Sequence, residues 1–267
     1  MTSFNIALKE LRVNLKSLIK WLIFLVLVIF VSSLLFEFLF KDNADMNNYL
    51  ELLPPIVLAF VNMDLAIDYS TAPGFLSFIF VFPTYMLVFA AAFTGTRLLT
   101  REREAQSFEF LYSRPIHRNQ ILFAKLLAGL IFCIITNLAV TLPLRHFFGE
   151  YGIGSLIITY AQANLLLQVL ALSGGALIAF FCRYADSAAQ YSGLIILVTI
   201  VLERVLAIAG GGGILWVLTP FSYFPPLELI AGDGLSATAL LLTLVLTTFF
   251  ITLLTVLHLR RDFHLSR

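Results

Sequence analysis

Apolar runs of membrane-crossing length recur along the chain, and a transmembrane helix needs about 20 such residues. Trp21 to Phe40 is broken only by Glu37, while Leu76 to Thr96 and Leu126 to Leu144 carry no charge. Tyr151 to Cys182 is uncharged throughout, long enough for one tilted span with an outer segment to spare. Ala188 to Ile208 is apolar except for Glu203 and Arg204, and Leu235 to Leu259 closes the set. The pattern predicts an all-α polytopic membrane protein, a single domain over residues 1–267 with six transmembrane helices near 21–40, 76–98, 122–144, 158–182, 188–208 and 235–259. The first run starts too late and is too long for the apolar stretch of a cleaved signal peptide, so it is expected to stay in the mature protein.

Between the runs, periodicity changes. Phe4, Leu8, Leu11, Leu15 and Leu18 form one stripe, and Lys9, Arg12, Lys16 and Lys20 form a second. Residues 1–20 therefore read as a basic amphipathic helix in the membrane interface, followed by a turn into the first span. A straight extension of the first helix fits the same spacing. Leu52 to Ala66 is mostly apolar and carries Pro54-Pro55, which suggests a short helix resting on the outer face. Gly210 to Gly213 lacks the Lys and Ser or Thr that a phosphate-cradling loop needs after its last glycine, so it reads as a flexible break. The stretch from there to Gly232 contains Pro220, Pro225 and Pro226, which suits a re-entrant or interfacial segment better than a straight span.

Composition sharpens the membrane reading. Hydrophobic residues make up 60% of the 267 and charged residues 12%, with a mean hydropathy of +0.95. A soluble fold would need more polar surface, and disorder would need fewer apolar residues and more charge. A balance of 17 Lys+Arg against 16 Asp+Glu gives no electrostatic footprint for nucleic acid. Cys133 and Cys182 sit in separate apolar runs, which is neither a disulfide framework nor a metal cluster.

The placement of the positive charge predicts orientation. Lys9, Arg12, Lys16 and Lys20 precede span one; Arg97, Arg101, Arg103, Arg114, Arg118 and Lys125 follow span two. Arg183 follows span four, and Arg260, Arg261 and Arg267 end the chain; only Lys41, Arg145 and Arg204 fall on the other side. Both termini are expected in the cytoplasm.

The loop between spans two and three holds nine strongly charged residues between positions 97 and 125. Within it Phe108, Leu111 and Tyr112 fall at i, i+3 and i+4, so a short helix would show one apolar face, ended by Pro115. Such a module suits docking into a groove on a soluble partner, although an ordinary solvated loop has the same pattern.

The run Glu102-x-Glu104-x-x-Ser107-x-Glu109-x-Leu111-x-Ser113-x-Pro115-x-x-Arg118-x-x-Ile121-x-x-x-Lys125 resembles the signature of permease subunits of ABC-2-type transporters. Leu52-Leu-Pro-Pro55 with Ala72-Pro-Gly74-Phe75-Leu76, Thr219-Pro-Phe-Ser-Tyr-Phe224 and Arg261-Asp262 are similar to other parts of that family. Gln106 and Phe110 depart from it, where Gly and Leu are commoner. The resemblance implies a half-transporter: two permease chains, identical or different, would pair in the bilayer. Each would engage a separate ABC ATPase that holds ATP and Mg, so neither a cofactor nor enzymatic activity is expected of this chain. It further implies an exporter in the prokaryotic cytoplasmic membrane. Residues 107–113, with Phe108, Leu111 and Tyr112, would be a coupling helix inside the cytoplasmic loop 100–118. Glu102 and Glu104 would lie just before it, and Arg118 and Lys125 would anchor the return to span three.

Polar groups inside spans are costly and therefore informative. Tyr160, Asn164 and Gln168, spaced by four, share one face of span four; Glu37 ends span one and Glu203-Arg204 interrupts span five. They are candidates for lining a substrate pathway, and interhelical hydrogen bonding or snorkelling, the usual behaviour of such residues, accounts for them as well. Ala171 and Gly175 form a small-xxx-small pair suited to close packing. Two other functions compete with transport. An intramembrane enzyme would need a nucleophile–base pair or metal cluster, but His117, His146, His258 and His264 are scattered. A non-transporting assembly or sensing component would share the fold.

Overall fold

The computed structural model describes residues 3–41, 46–54, 56–58, 63, 65–104, 118–209, 213–232 and 234–260. Among these there is no strand. The helices are α1 (Ser3–Leu35), α2 (Met46–Glu51), α3 (Ala72–Ile79), α4 (Val81–Glu104), α5 (Arg118–Phe148), α6 (Gly154–Phe181), α7 (Ala185–Ile208), α8 (Pro226–Ala231) and α9 (Ala237–Arg260). Six helical segments are long and apolar enough to cross a membrane, with α3 and α4 sharing the second. The protein is an all-α polytopic membrane protein.

Side chains are arranged as a bilayer solvent demands. Large apolar residues such as Ile23, Leu27, Leu194, Val201, Leu241 and Phe249 face outward, whereas Thr136, Asn137, Asn164 and Gln168 are buried. Lipid tails are as apolar as leucine, so helix association in a membrane comes from packing and hydrogen bonds rather than from hiding apolar surface. The centre of the bundle is α6, which packs on α4, α5, α7 and α9, most extensively on α4. Helix α1 packs mainly on α5.

The turn expected after residue 20 is absent. Helix α1 runs unbroken from Ser3 to Leu35 and continues as a π-helical turn over Phe36–Phe40. The physical reason lies in the junction: residues 15–25 contain neither Gly nor Pro, so nothing stops the helix. Glu10, Asn14 and Leu18 are buried, and they meet Thr94 and Leu98 of α4 and Ala128 and Phe132 of α5 around a small gap. Arg97 Nη1 donates to Ser17 Oγ at 3.0 Å. The amphipathic segment is thus tied to the ends of its neighbours.

The second span is broken near its start for a chemical reason. Pro83 has no N–H to give to Ile79, and the helix is interrupted at Phe80 between α3 and α4. Thr71 caps α3, its Oγ1 accepting from Gly74 N at 3.3 Å. A Cβ on Gly74 would lie 1.9 Å from the Asp68 carbonyl oxygen, so the Ala72-Pro-Gly74 motif is glycine for want of space. Before it, α2 precedes the Pro-Pro pair, and residues 56–58, within the short helix expected over Leu52 to Ala66, are helical. Residues 59–62 and 64 lie outside the described residues.

Before the last span the chain forms no straight crossing. Gly213–Leu218 and Pro220–Tyr223 are 3-10 turns and α8 is one short helix. The prolines at 220, 225 and 226 enforce these breaks.

Candidate functional site

Helix direction alternates from span to span, so the starts of α4, α6 and α9 and the end of α7 share one end of the bundle, opposite the N-terminus. A cavity of about 300 Å³ opens there between α4, α6, α7 and the 216–229 segment. Its residues come from distant parts of the chain. Thr84 and Tyr85 project from α4, Tyr160 and Asn164 from α6, Glu203 and Arg204 from α7.

The cap over the cavity is the Thr219-Pro-Phe-Ser-Tyr-Phe224 motif, and its polar residues serve one another. Thr219 Oγ1 lies 2.9 Å from the Trp216 carbonyl oxygen and 2.8 Å from Ser222 Oγ. Trp216 Nε1 donates to the Ser222 carbonyl at 3.3 Å, and the Tyr223 hydroxyl donates to the Val217 carbonyl. This internal bonding leaves Trp216, Phe221 and Phe224 to wall the cavity with aromatic surface. The Tyr223 phenol lies outside the spans, and burial pushes its pKa up.

Inside, one ion pair carries the charge. Arg204 Nη2 donates to Glu203 Oε1 at 2.6 Å, and the two side chains are only 11% and 13% exposed. Tyr85 fastens the pair to α4: its hydroxyl donates to Glu203 Oε2 at 3.3 Å and accepts from Arg204 Nη2 at 3.2 Å. The ring of Tyr85 meets Phe221 edge-on, with centroids 5.0 Å apart. A carboxylate and a guanidinium are therefore held in an apolar bundle as one electroneutral unit, the condition under which buried charge is tolerable.

The opposite wall is uncharged. Thr84 Oγ1 lies 2.8 Å from Asn164 Oδ1 and 2.8 Å from the Phe80 carbonyl. Asn164 is 2% exposed and its amide nitrogen has no partner among the described residues. Turning the amide over would exchange the two atoms and still leave one polar atom facing the cavity alone. Tyr160, 3% exposed, stacks on Phe80 with centroids 4.1 Å apart, and its hydroxyl also has no partner among the described residues.

Four of the six candidate pathway residues thus meet in one place: Tyr160, Asn164, Glu203 and Arg204. The other two do not. Gln168, one turn beyond Asn164, leaves the cavity and sits with Oε1 3.1 Å from Thr136 Oγ1 of α5. Glu37 pairs with Lys41 at 2.8 Å on the same helix end. Sequence reasoning missed Thr84, Tyr85 and Trp216. Tyr85 and Thr84 lie in an uncharged run where nothing local separates a cavity residue from a packing one; Trp216 stands out only as part of the glycine-flanked break.

At the other end of the bundle, Lys125 is 2% exposed and its Nζ donates to the Leu98 carbonyl at 2.6 Å. It clasps α5 to α4 at the two sides of the charged loop. Glu102 and Glu104 are in the last turn of α4, and Arg118 begins α5. Ser107, Phe108, Glu109, Leu111, Tyr112, Ser113 and Pro115, the expected coupling segment, lie outside the described residues, as does Arg261-Asp262. Among the described residues no group of three or more His, Cys, Asp or Glu side chains could hold a metal ion.

No curated protein matches the chain. The family described as ABC-2 family transporter protein matches residues 4–263, a stretch that includes all six candidate spans. With its six apolar helices and the cavity between them, the chain belongs to the ABC-2 family of transporter proteins and is a membrane permease component of an ABC transporter.

Proposed function

We propose that the chain forms the translocation pathway of an ATP-driven exporter in the prokaryotic cytoplasmic membrane and that its loop 100–118 couples it to a separate ABC ATPase. The observation that supports this reading is the family match across residues 4–263, which makes these residues the membrane component of an ABC transporter. Family membership implies association with an ABC ATPase; the coupling role of residues 107–113 is our reading of their spacing. Phe108, Leu111 and Tyr112 present one apolar face to the ATPase groove, and the flanking charges set its register.

The work cycle follows from mechanics. A second permease chain, identical or different, pairs with this one, and each holds one ATPase. ATP binding, with Mg, closes the two ATPases and draws the coupling helices together. The Lys125 clasp transmits that displacement because it ties α5 to α4 beside the loop. Both helices then move as one body, and α6 moves with them. The cavity between α4, α6 and α7 is the part of the pathway that this motion reshapes. The distribution of Lys and Arg supports a cytoplasmic side for the termini and the loop, and an outer side for the cavity.

The test is co-purification from native membranes. Wild-type permease is expected to bring down a protein with a phosphate-binding loop, and Leu111→Asp is expected to lose it while inserting normally. Undiminished ATPase capture by Leu111→Asp would overturn the coupling assignment.

A further inference from the structure

A second cavity adjoins the first. It is a cleft of about 290 Å³ between α7 and α9, which both pack on α6 and hardly on each other. Its floor is Ala171, Gly174 and Gly175, and its sides include Ile195, Ile196 and Phe250. The lining hydroxyls of Ser192 and Thr199 are already bonded to the carbonyls of Ala189 and Ile196, at 3.1 and 2.7 Å. The cleft therefore offers an occupant apolar surface and little else. Leu167 and Phe221 line both cavities, so the two chambers meet at these side chains.

The first chamber has the opposite chemistry, and its chemistry is specific. Its ion pair is already neutral, so a guest with net charge would be buried without a counter-charge. Among the described residues, what it leaves open is hydrogen bonding, at the Tyr160 hydroxyl and the Asn164 amide, both at least nine-tenths buried. A hydroxyl both donates and accepts, so it meets either orientation of that amide. Aromatic faces of Trp216, Phe221 and Phe224 complete the wall.

We propose that the two chambers together bind a single-chain amphiphile with an uncharged, hydroxyl-bearing head, of the glyceride or glycoside type. The head occupies the first chamber against Tyr160 and Asn164, and the chain passes Phe221 into the cleft over Gly174. This deepens the transport reading, and it rests on that reading only in making the guest a cargo. Binding is measured without any ATPase, so a failure of one does not mimic a failure of the other.

Two substitutions separate the chambers. Among the described residues a Cβ on Gly174 meets only the Phe250 ring, at 3.6 Å, so Gly174→Leu fills the cleft without striking backbone. Tyr160→Phe removes a hydroxyl that has no partner among the described residues, so it takes nothing from the fold. The reporter is Trp216, made the sole tryptophan by Trp21→Phe.

The full chain is placed in phosphatidylcholine nanodiscs free of glycoside detergent and titrated with a monoacylglycerol brominated along its chain. Bromine quenches tryptophan only at close range, and Val217 and Leu218, next to Trp216, line the cleft. Saturable quenching is expected, displaced by an alkyl glucoside of equal chain length but not by lysophosphatidic acid or an alkyltrimethylammonium. Whichever of unbrominated monoacylglycerol and the glucoside competes at the lower concentration names the source of the head. Gly174→Leu and Tyr160→Phe are each expected to raise the half-saturating concentration at least fivefold, with the Tyr160→Phe melting temperature unchanged or higher. Quenching that rises linearly with lipid content, equal displacement by the charged analogues, or unaltered affinity in both variants would overturn the proposal.

Discussion

Helices α4 and α6 meet twice, and the two meetings are built in opposite ways. Towards the middle of the pair, a Cβ on Gly95 would lie 2.3 Å from the Leu172 carbonyl oxygen, and one on Gly175 would lie 2.3 Å from that of Ala92. The two backbones touch, with Ala91, Ala92 and Ala176 filling the remaining space. Nearer the starts of the same helices the contacts are Thr84 with Asn164 and Phe80 with Tyr160, and a cavity opens beside them. Small residues bring the helices into backbone contact at the crossing. Large polar and aromatic residues hold the helices apart where the cavity opens. One helix pair thus has both a close-packed crossing and an open cavity, with side-chain size setting which is which.

The most damaging change strikes the close-packed crossing. Gly175→Leu forces side-chain volume into the Ala92 backbone, where no rotamer can relieve it. Overpacking costs about 1–3 kcal/mol where neighbours can shift and more where they cannot. Loss of folded protein is expected, read as aggregation on size-exclusion chromatography in detergent. The neighbouring substitution Gly174→Leu is expected to elute as a folded protein, because its added atoms enter the cleft. Equal behaviour of the two would dissolve the contrast between rigid crossing and open groove.

Next comes the ion pair in the cavity. Arg204→Leu strands the Glu203 carboxylate at 13% exposure, and orphaning one member of a buried pair costs about 3–5 kcal/mol. Replacing both, Glu203→Leu with Arg204→Leu, removes the charge altogether and is expected to recover most of that loss. Thermal unfolding of the single and double variants decides it. A double variant no more stable than Arg204→Leu would mean that the pair supports the fold through Tyr85 rather than by cancelling its own charge.

How much of this is legible in the chain alone depends on the range of the signal. Span number and the absence of a straight crossing before α9 are legible because apolar runs and prolines are local. The spacing of four that puts Tyr160 and Asn164 on one face is local too, and so is the suitability of Gly175 for close packing. That spacing cannot say where the face leaves the cavity; Gln168 continues the stripe but meets Thr136, because α5 crosses α6 at that level. Nor can it bring Tyr85 to Glu203, residues separated by 118 positions. The Thr219–Phe224 motif is visible as a resemblance, but its role as a cap depends on the fold of α4 and α7 beneath it. At the α1 junction the expected turn is absent, because periodicity carries no stop signal and the residues there supply none.

A smaller effect is expected from Tyr160→Phe on stability. A buried hydroxyl with no partner among the described residues gives nothing to the folded state, so its removal is expected to leave the melting temperature unchanged or slightly raised, by about 1 kcal/mol at most. A clear fall would mean that the hydroxyl is held by a group within the bundle and is not kept open for a guest.

The mildest consequence lies at the rim, where Lys41 ends span one. Its Nζ sits 2.8 Å from Glu37 Oε1 and 5.6 Å from the centre of the Tyr151 ring. Hydrogen bonding to Glu37, and then to Tyr151, holds the Lys41 ammonium above its ordinary range. A raised pKa in the folded state stabilises it fully below the ordinary lysine value of about 10.4 and is lost as pH climbs through the folded value. The pair is exposed, so water and salt screen most of the benefit. Glu37→Gln is therefore expected to lower the melting temperature only slightly at pH 7 and less still in high salt. The gap from wild type should narrow further above a pH of about 10.4. In contrast with the cavity pair, whose burial shields it from salt, a strong and salt-insensitive loss in Glu37→Gln would place this rim contact among the interactions that hold the bundle together.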